Sequence, residues 1–176
     1  MEIRTAHTAD LEPETLAVVR TLLEDVFEGD FSEEDWRHTL GGVHALAWEG
    51  TDLVGHASVV QRWLLIGDRH VRAGYVEGVA VRADRRRRGY GRAVMAATER
   101  VIRGEYDVGA LSATDEAMEL YETLGWQLWR GSSWALTLDG RVRTEDDDGG
   151  IFVLPVTGGV DVRQPVTCDW RPGELW

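Results

Sequence analysis

The sequence contains no lysine, since all 19 basic residues are arginine, and this excludes a Schiff-base lysine as a catalytic group. Its one cysteine, Cys168, excludes an internal disulfide framework and a cysteine-rich metal site, and a reducing cytoplasm is the expected location. No run of 18 apolar residues occurs, and the first residues lack the basic start and apolar stretch of a signal peptide. We therefore expect no membrane association.

What the sequence has in excess is acid, with 31 acidic residues and a formal net charge of −12 over 176 residues. This charge disfavours nucleic acid and anionic lipid as partners and favours cationic ones. Acidic residues concentrate between 10 and 35 and between 145 and 148, whereas six of the eleven residues from 82 to 92 are arginine. The segregation fits separate sites for an anionic and a cationic ligand, or simply a solvated helix face and a surface loop.

Hydrophobic spacing predicts a mixed α/β domain around one central sheet. Residues 43–48 and 53–66 are expected to form a hairpin, and residues 126–129 and 133–138 a terminal strand pair. The other strand-like segments are 2–7, 70–81, 108–111, 151–155 and 160–163. Helices are expected to begin near Asp10–Pro13, at an N-cap on Ser32, at Gly89, and at a cap on Thr114 or Asp115.

The strongest chemical signal is the segment from Val79 to Ala93, in which an apolar strand ends, an arginine-rich turn follows, and two glycines open a helix. Backbone N–H groups at a helix N-terminus attract anions, and flanking arginines add bidentate contacts to phosphate. A diphosphate fits this chemistry, although the spacing is neither that of a Walker loop nor that of a dinucleotide fingerprint. The alternative is a basic surface loop with a glycine cap.

The pattern Arg86-x-x-Gly89-x-Gly91 after a strand resembles the acetyl-CoA diphosphate loop of GNAT N-acetyltransferases. The resemblance implies the GNAT fold, a mixed α/β (α+β) fold in which a central, mostly antiparallel sheet is flanked by helices and splays at a bulge in this strand. It also implies that acetyl-CoA binds here, with its pantetheine arm against the main chain of Val79 and Val81. The residues that it places at the diphosphate are Arg86, Arg87, Arg88, Gly89, Tyr90, Gly91 and Arg92.

A narrower resemblance, to aminoglycoside 2'-N-acetyltransferases, covers nearly the whole chain. It implies one GNAT domain over residues 1–176, with 139–176 as a C-terminal extension that contributes to the acceptor site. It further implies direct acetyl transfer in a ternary complex, antibiotic resistance and a homodimer. The blocks that carry it are Glu28–Phe31, His38–Gly42, Gly74–Glu77, Leu111–Ala113, Cys168–Arg171 and Trp176.

This resemblance also implies catalytic roles. Glu77 would be the general base, acting through ordered water, and the backbone N–H of Val79 would polarise the thioester carbonyl. The phenol of Tyr121 would protonate the CoA thiolate. The alternatives are a structural carboxylate that caps the bulge for Glu77 and a packing residue for Tyr121. Cys168 is interpreted as a buried thiol.

A polycationic aminoglycoside needs carboxylates and carbonyls around it, and the resemblance carries these over to specific positions. Glu174 stands where the family usually has Asp, so its reach differs by one methylene. The five histidines show no metal-ligand spacing, and no metal is expected. The implied acceptor-binding groups are Asp30, Asp35, Glu77, Gly78, Ser112, Asp147, Glu174 and the terminal carboxylate of Trp176.

Two other hypotheses remain open. The same fold could acetylate a different amine, such as kasugamycin, a polyamine or a cell-wall amino sugar. Alternatively, the protein could bind acetyl-CoA without catalysis, although the presence of Glu77 and Tyr121 and of the full diphosphate loop argues against this reading.

Overall fold

The computed structural model describes residues 1–176, which divide into two compact units. The first unit comprises residues 1–60 and 76–101, and the second comprises 61–75 and 102–176. No helix is both long and apolar enough to cross a bilayer. The elements are β1 Glu2–His7, α1 Pro13–Val26, α2 Glu33–His38, β2 Val43–Glu49, β3 Asp52–Ile66, β4 Arg69–Val81, α3 Tyr90–Glu105, β5 Val108–Ser112, α4 Met118–Thr123, β6 Gln127–Leu128, β7 Ser133–Thr137, β8 Gly140–Arg143, β9 Ile151–Pro155 and β10 Val166–Cys168.

In the first unit, β2 pairs antiparallel with both β1 and β3, which confirms the predicted hairpin. Helix α1 starts with Pro13 in its first turn, and its buried face, Val19, Leu22 and Leu23, packs with Trp36 and Leu46. The i, i+3, i+4 spacing of these three residues is what places them on one face.

Helix α2 begins with the predicted cap on Ser32. The Ser32 hydroxyl accepts from the N–H of Asp35 at 3.1 Å, and the Asp35 carboxylate accepts from the N–H of Ser32 at 2.8 Å. This reciprocal capping box satisfies two backbone donors that the first turn would otherwise leave open.

The strand order is β6-β9-β5-β4-β3-β10-β7-β8, in which β3 and β4 each have residues in both units and the other strands lie in the second. β4 with β5 and β10 with β7 are parallel, whereas β10–β3, β5–β9, β6–β9 and β7–β8 are antiparallel. The predicted mixed, mostly antiparallel sheet is therefore confirmed. The pairing of β4 with β5 covers Ala73–Tyr75, directly before the segment in which the bulge is predicted.

The expected strand pair near residue 130 is wrong, because β6 pairs with β9 and β7 lies between β10 and β8. The connection contains Gly131, where an added Cβ would lie 2.0 Å from the carbonyl oxygen of Gln164. The backbone at residue 131 thus lies too close to residue 164 to admit a side chain, and its N–H donates to Val162 rather than across a hairpin.

Residues 160–163, expected as a strand, contain none. The carbonyl of Val162 accepts from the N–H groups of both Arg130 and Gly131, which is a single point of attachment rather than a ladder. The strand in this region is β10, whose three residues are all buried. The predicted side-chain cap on Thr114 or Asp115 is absent, and a 3-10 turn over 115–117 leads into α4 instead.

Candidate active site

The backbone of β4 is irregular at Gly78, between Glu77 and Val79. Gly78 has φ +56°, and an added Cβ would lie 2.9 Å from Cγ2 of Thr39. Only glycine meets both conditions. The three residues are all partly exposed, which interrupts the buried run that precedes them. The position predicted for the bulge therefore carries a left-handed glycine, with the Glu77 carboxylate and the Val79 amide on either side of it.

Two buried histidines that the sequence analysis left without a role lie behind this irregularity. His56 Nδ1 is 2.7 Å from the carbonyl oxygen of Gly78, and His56 Nε2 is 2.9 Å from His44 Nδ1. His44 Nε2 is in turn 2.8 Å from Thr8 Oγ1. Burial lowers the pKa of His56 to about 3 and that of His44 to about 4, so both rings are neutral.

Strand register explains how the two rings meet. Leu46 is the partner of His56 and Ser58 is the partner of His44, so the histidines are diagonal neighbours across the β2–β3 pair. The hairpin was predicted, and strand alternation within it could have placed both side chains on one face.

The arginine-rich loop after β4 contains two kinds of arginine. Arg82 and Arg85 both pair with Asp84, and Arg85 also pairs with Glu49, so these two hold the loop together. Arg86, Arg87 and Arg88 are exposed and come next in the chain. The loop thus exposes three consecutive positive charges, and the ion pairs of Arg82 and Arg85 stabilise the turn that precedes them.

The geometry of this loop fits a diphosphate. Arg87 and Gly89 have positive φ values of 59° and 87°, and an added Cβ at Gly89 would meet nothing within 4 Å. Helix α3 follows, and its first backbone bond runs from Ala93 N–H to the carbonyl of Gly89. The N–H groups before Ala93 lack intrahelical acceptors and point toward the open end, where an anion binds favourably.

The remaining loop residues differ in what they expose. The side chain of Tyr90 is buried, and burial raises the pKa of its phenol. Tyr90 therefore offers a ligand its main-chain N–H rather than its hydroxyl. Gly91 is partly exposed and Arg92 is exposed on the first turn of α3.

The two acidic positions predicted near α2 have different surroundings. Asp30 is exposed, and its N–H donates to the carbonyl of Phe27 at 2.9 Å. Asp35 accepts from the N–H and from the hydroxyl of Ser32 through the same oxygen, Oδ2, at 2.8 Å each. The structure therefore gives Asp35 a capping function, and any contact with an acceptor would be additional.

In the second unit, Ser112 and Asp147 flank Gly150. The N–H of Gly150 donates to the carbonyl of Asp147, and the N–H of Ala113 donates to the carbonyl of Gly150. An added Cβ at Gly150 would lie 3.7 Å from Ser112 Oγ. Residues 35 positions apart in the chain thus reach one location.

The last residues of the chain are anchored beside this location. The indole N–H of Trp176 donates to Thr144 Oγ1 at 3.0 Å, and Trp176 is buried. Upstream, Asp169 accepts from the buried guanidinium of Arg62 at 2.8 Å. Burial, together with the nearby charge of Glu174, raises the pKa of the Asp147 carboxyl, whereas a hydrogen bond from Thr144 opposes the shift.

Asp148, next to Asp147, has the opposite environment. Its carboxylate pairs with Arg143 and accepts from the N–H and hydroxyl of Ser133 at 3.0 and 2.8 Å. The hydrogen bond from Arg143 is the largest cause that lowers the pKa of Asp148 to about 2. The Asp148 carboxylate is thus used in bonds within the protein. The Asp147 carboxylate is partly buried, and its surroundings disfavour its ionised form.

Tyr121 lies on α4 with its ring centroid 5.8 Å from that of Phe152 and 6.3 Å from that of Trp126. Burial raises the pKa of Tyr121 to about 12, so the phenol stays protonated at physiological pH. Cys168 is fully buried, and burial raises the pKa of its thiol to about 11. The interpretation of Cys168 as a buried thiol rather than a nucleophile is therefore confirmed.

Comparison with known proteins identifies the family. The model of the acetyltransferase (GNAT) family matches residues 9–126. A protein of Mycolicibacterium fortuitum named aminoglycoside 2'-N-acetyltransferase is 49% identical over 177 residues, which is 98% of this chain and 91% of that protein.

Two solved structures share the fold. A GNAT family acetyltransferase from Brucella melitensis in complex with acetyl-CoA superimposes with a TM-score of 0.62 and 15% identity, over 94% of each chain. Eis1 from Mycobacterium abscessus gives a TM-score of 0.63 and 20% identity over 76% of this chain. The present chain spans about a third of the length of Eis1, since 33% of that protein is covered.

Proposed function

The chain belongs to the acetyltransferase (GNAT) family, and from this premise we propose that it transfers the acetyl group of acetyl-CoA to the 2'-amino group of an aminoglycoside antibiotic. The observation that carries the proposal is the 49% identity to a protein of that name over nearly the full length of both chains. Acetylation removes one positive charge from the drug, and antibiotic resistance is the expected consequence.

Acetyl-CoA, the acyl donor, supplies the acetyl group as a thioester. Its diphosphate is proposed to bind the amides at the start of α3 and the exposed side chains of Arg86, Arg87 and Arg88. The left-handed Arg87 and Gly89 support this, because they present consecutive N–H groups at an open helix end. The main chain of Val79 and Val81 is proposed to hold the pantetheine arm.

Glu77 is proposed to accept the proton of the attacking amine, directly or through one water molecule. A protonated amine has no lone pair, so this step must precede or accompany formation of the new C–N bond. The N–H of Val79 donates to the carbonyl oxygen as negative charge develops there. These two groups flank Gly78, so one backbone irregularity positions both.

Tyr121 is proposed to return a proton to the departing CoA sulfur. Its pKa of about 12 keeps the phenol protonated, which is the state that a general acid requires. The packing of its ring against Phe152 and Trp126 restricts the orientation of the hydroxyl.

The acceptor is proposed to bind Ser112, Asp147, Glu174 and the terminal carboxylate of Trp176, so that residues 139–176 contribute to its site as a C-terminal extension. Burial and, to a lesser extent, the charge of Glu174 raise the pKa of Asp147, and a bound ammonium group would stabilise both of these carboxylates. The other proposed acceptor-binding residues, all in the first unit, are Asp30, Asp35, Glu77 and Gly78.

A thiol-release assay with acetyl-CoA and matched aminoglycosides tests the proposal. We expect rapid CoA release with a 2'-amino compound such as tobramycin and none above background with a 2'-hydroxy compound such as kanamycin A. Equal rates with both would contradict 2' specificity. Release with a polyamine alone would point to another acceptor, and no release with any amine would contradict catalysis.

We also propose a cytoplasmic location and a homodimer. The single buried cysteine supports a reducing compartment, and the dimer rests on the resemblance to the family. Light scattering on the purified chain tests the dimer, since a monomer mass at micromolar concentration would contradict it.

A further inference from the structure

We propose that Thr8, His44 and His56 form a directed hydrogen-bond chain that orients and polarises the peptide group between Gly78 and Val79. The chain ends on the Gly78 carbonyl oxygen, and that oxygen belongs to the same planar unit as the Val79 N–H. The inference rests on the proposed function, in which this N–H stabilises the oxyanion. The three residues would therefore be positioning residues rather than catalytic ones.

The direction of every bond follows from the acceptor at the end. A carbonyl oxygen only accepts, so His56 Nδ1 carries a hydrogen and donates to Gly78. Because the ring is neutral, His56 Nε2 has no hydrogen and accepts from His44 Nδ1 at 2.9 Å. His44 Nε2 then needs a donor, and the Thr8 hydroxyl supplies it at 2.8 Å.

The start of the chain is equally well defined. Thr8 Oγ1 accepts from the N–H of Gly41 at 2.9 Å. The hydroxyl is also within hydrogen-bonding distance of the Gly42 carbonyl, at 3.2 Å. The shorter contact of 2.8 Å and the need of His44 Nε2 for a donor assign the hydroxyl proton to His44, so that four donors in a row point toward Gly78.

A directed chain of this kind affects the Val79 N–H in two ways. In a trans peptide the C=O and N–H point in opposite directions, so holding the Gly78 oxygen toward His56 aims the Val79 N–H away from the core. Withdrawing electron density at the oxygen makes the N–H a stronger donor, and each preceding bond adds to this polarisation. Gly78 has a left-handed backbone that admits rotation of this peptide, so an external restraint is useful there.

This hydrogen-bond chain is unsuited to carrying a proton away from the site. Its last atom is an amide oxygen, which does not take up a proton at physiological pH, and neither imidazole charges above about pH 5. Orientation and polarisation are the functions that this set of bonds can perform.

Two substitutions at His56 separate the bond from the ring. His56→Phe keeps a buried ring and removes both nitrogens, so we expect kcat to fall roughly ten- to hundred-fold while both KM values change little. His56→Asn places an amide N–H close to the position of Nδ1 and should recover most of the lost kcat. Equal kcat values for the two variants would overturn the inference.

Substitutions at two threonines test the hydrogen-bond chain at Thr8, its end farthest from Gly78. They keep the inference testable if the His56 variants do not fold. Thr8→Val removes the donor to His44. Thr98→Val, in the same unit, removes a buried hydroxyl that donates to the carbonyl of Met95 at 2.8 Å. We expect kcat to fall about two- to fivefold for Thr8→Val and to stay near wild type for Thr98→Val, at similar unfolding temperatures. A fall for both, or for neither, would contradict the chain.

The carbonyl stretch of bound acetyl-CoA labelled with carbon-13 reports the oxyanion donor directly, without turnover. In the wild-type protein we expect a lower frequency than in free acetyl-CoA, and in His56→Phe a partial return toward the free value. No shift in wild type would contradict the role of Val79 in the proposed function. A shift that His56→Phe leaves unchanged would contradict the positioning chain alone.

Discussion

Two regions of the molecule, the segment from Glu77 to Arg92 and the group formed by Ser112, Asp147 and Trp176, are built in different ways. The first, residues 77–92, is nearly continuous in the chain and uses main-chain atoms made accessible by glycines. The second joins Ser112, Asp147 and Trp176, which are separated by tens of residues and held by tertiary hydrogen bonds. A contiguous site depends on local backbone geometry, whereas a dispersed one depends on how the surrounding strands and turns pack.

This difference has a consequence for substitution. Main-chain donors such as the Val79 N–H are not removed by changing their own side chain, so the first region is sensitive to the residues that hold its backbone. In the second region the proposed binding groups, apart from the terminal carboxylate, are side chains, and each can be removed singly. Adjacent residues there can have separate functions, as the opposite pKa shifts of Asp147 and Asp148 indicate.

The largest effect is expected for Glu77→Gln. Loss of the general base should lower kcat by about 10²- to 10⁴-fold at neutral pH. The loss should shrink as the pH rises toward the amine pKa, because the acceptor then deprotonates without help. A pH–rate profile with a 2'-amino acceptor measures this.

Glu105→Gln, at an exposed carboxylate near the end of α3, is the matched control and should behave as wild type. A Glu77→Gln profile parallel to that of wild type would remove Glu77 as the base. The first region would then contribute only backbone donors and positive charge.

A smaller loss is expected for Tyr121→Phe, which keeps the buried ring and removes the phenol. We expect kcat to fall roughly ten- to hundred-fold with little change in either KM, since the phenol acts on the leaving sulfur. Because the pKa of Tyr121 is about 12, the loss should be constant from pH 6 to 10. Tyr106→Phe, in the same unit, is the control, and an equal loss there would reduce Tyr121 to a packing residue.

Local features of the chain could be predicted from sequence because they depend on neighbours. The cap on Ser32 and the β2–β3 hairpin are both of this kind, whereas the bulge in β4 was implied only by the resemblance to the family. The partners of β6 and β7 could not be predicted, since the contact of Gly131 with Gln164 joins segments that no local pattern links.

The same limit applied to the candidate site. The arginine-rich loop after β4 is a local motif, and the helix N-terminus that follows it could be predicted. The bond between His56 and Gly78 joins two strands 22 residues apart, and the commitment of Asp148 to Ser133 spans 15 residues. Composition and spacing therefore indicated acidic residues without telling which of them hold the fold.

Asp147→Asn and Asp148→Asn should separate ligand binding from folding within one turn. Losing a charge-assisted bond at Asp147 should raise the KM for the acceptor about tenfold and leave that for acetyl-CoA unchanged. Asp148→Asn should instead lower the unfolding temperature by a few degrees, because it weakens bonds to Ser133 and Arg143. Asp146→Asn is the exposed control.

The pH dependence of the two carboxylates has opposite sign. A raised folded pKa means that ionised Asp147 costs stability at neutral pH, so Asp147→Asn should not destabilise the protein. Asp148 is stabilising above the ordinary carboxyl pKa, and that contribution is lost as the pH falls toward about 2. Thermal unfolding between pH 3 and 7 measures both. If Asp147→Asn destabilised the protein, Asp147 would have a structural role like that of Asp148.

The smallest effect is expected in the arginine loop, where several cations and backbone amides share one anionic ligand. Arg88→Ala should raise the KM for acetyl-CoA only about three- to tenfold and leave the acceptor KM unchanged. Arg100→Ala, exposed on α3, is the control for lost charge. Removing Asp147 and removing Arg88 should therefore affect different substrates. A rise in the acceptor KM for Arg88→Ala, with that for acetyl-CoA unchanged, would reverse the assignment of the two regions.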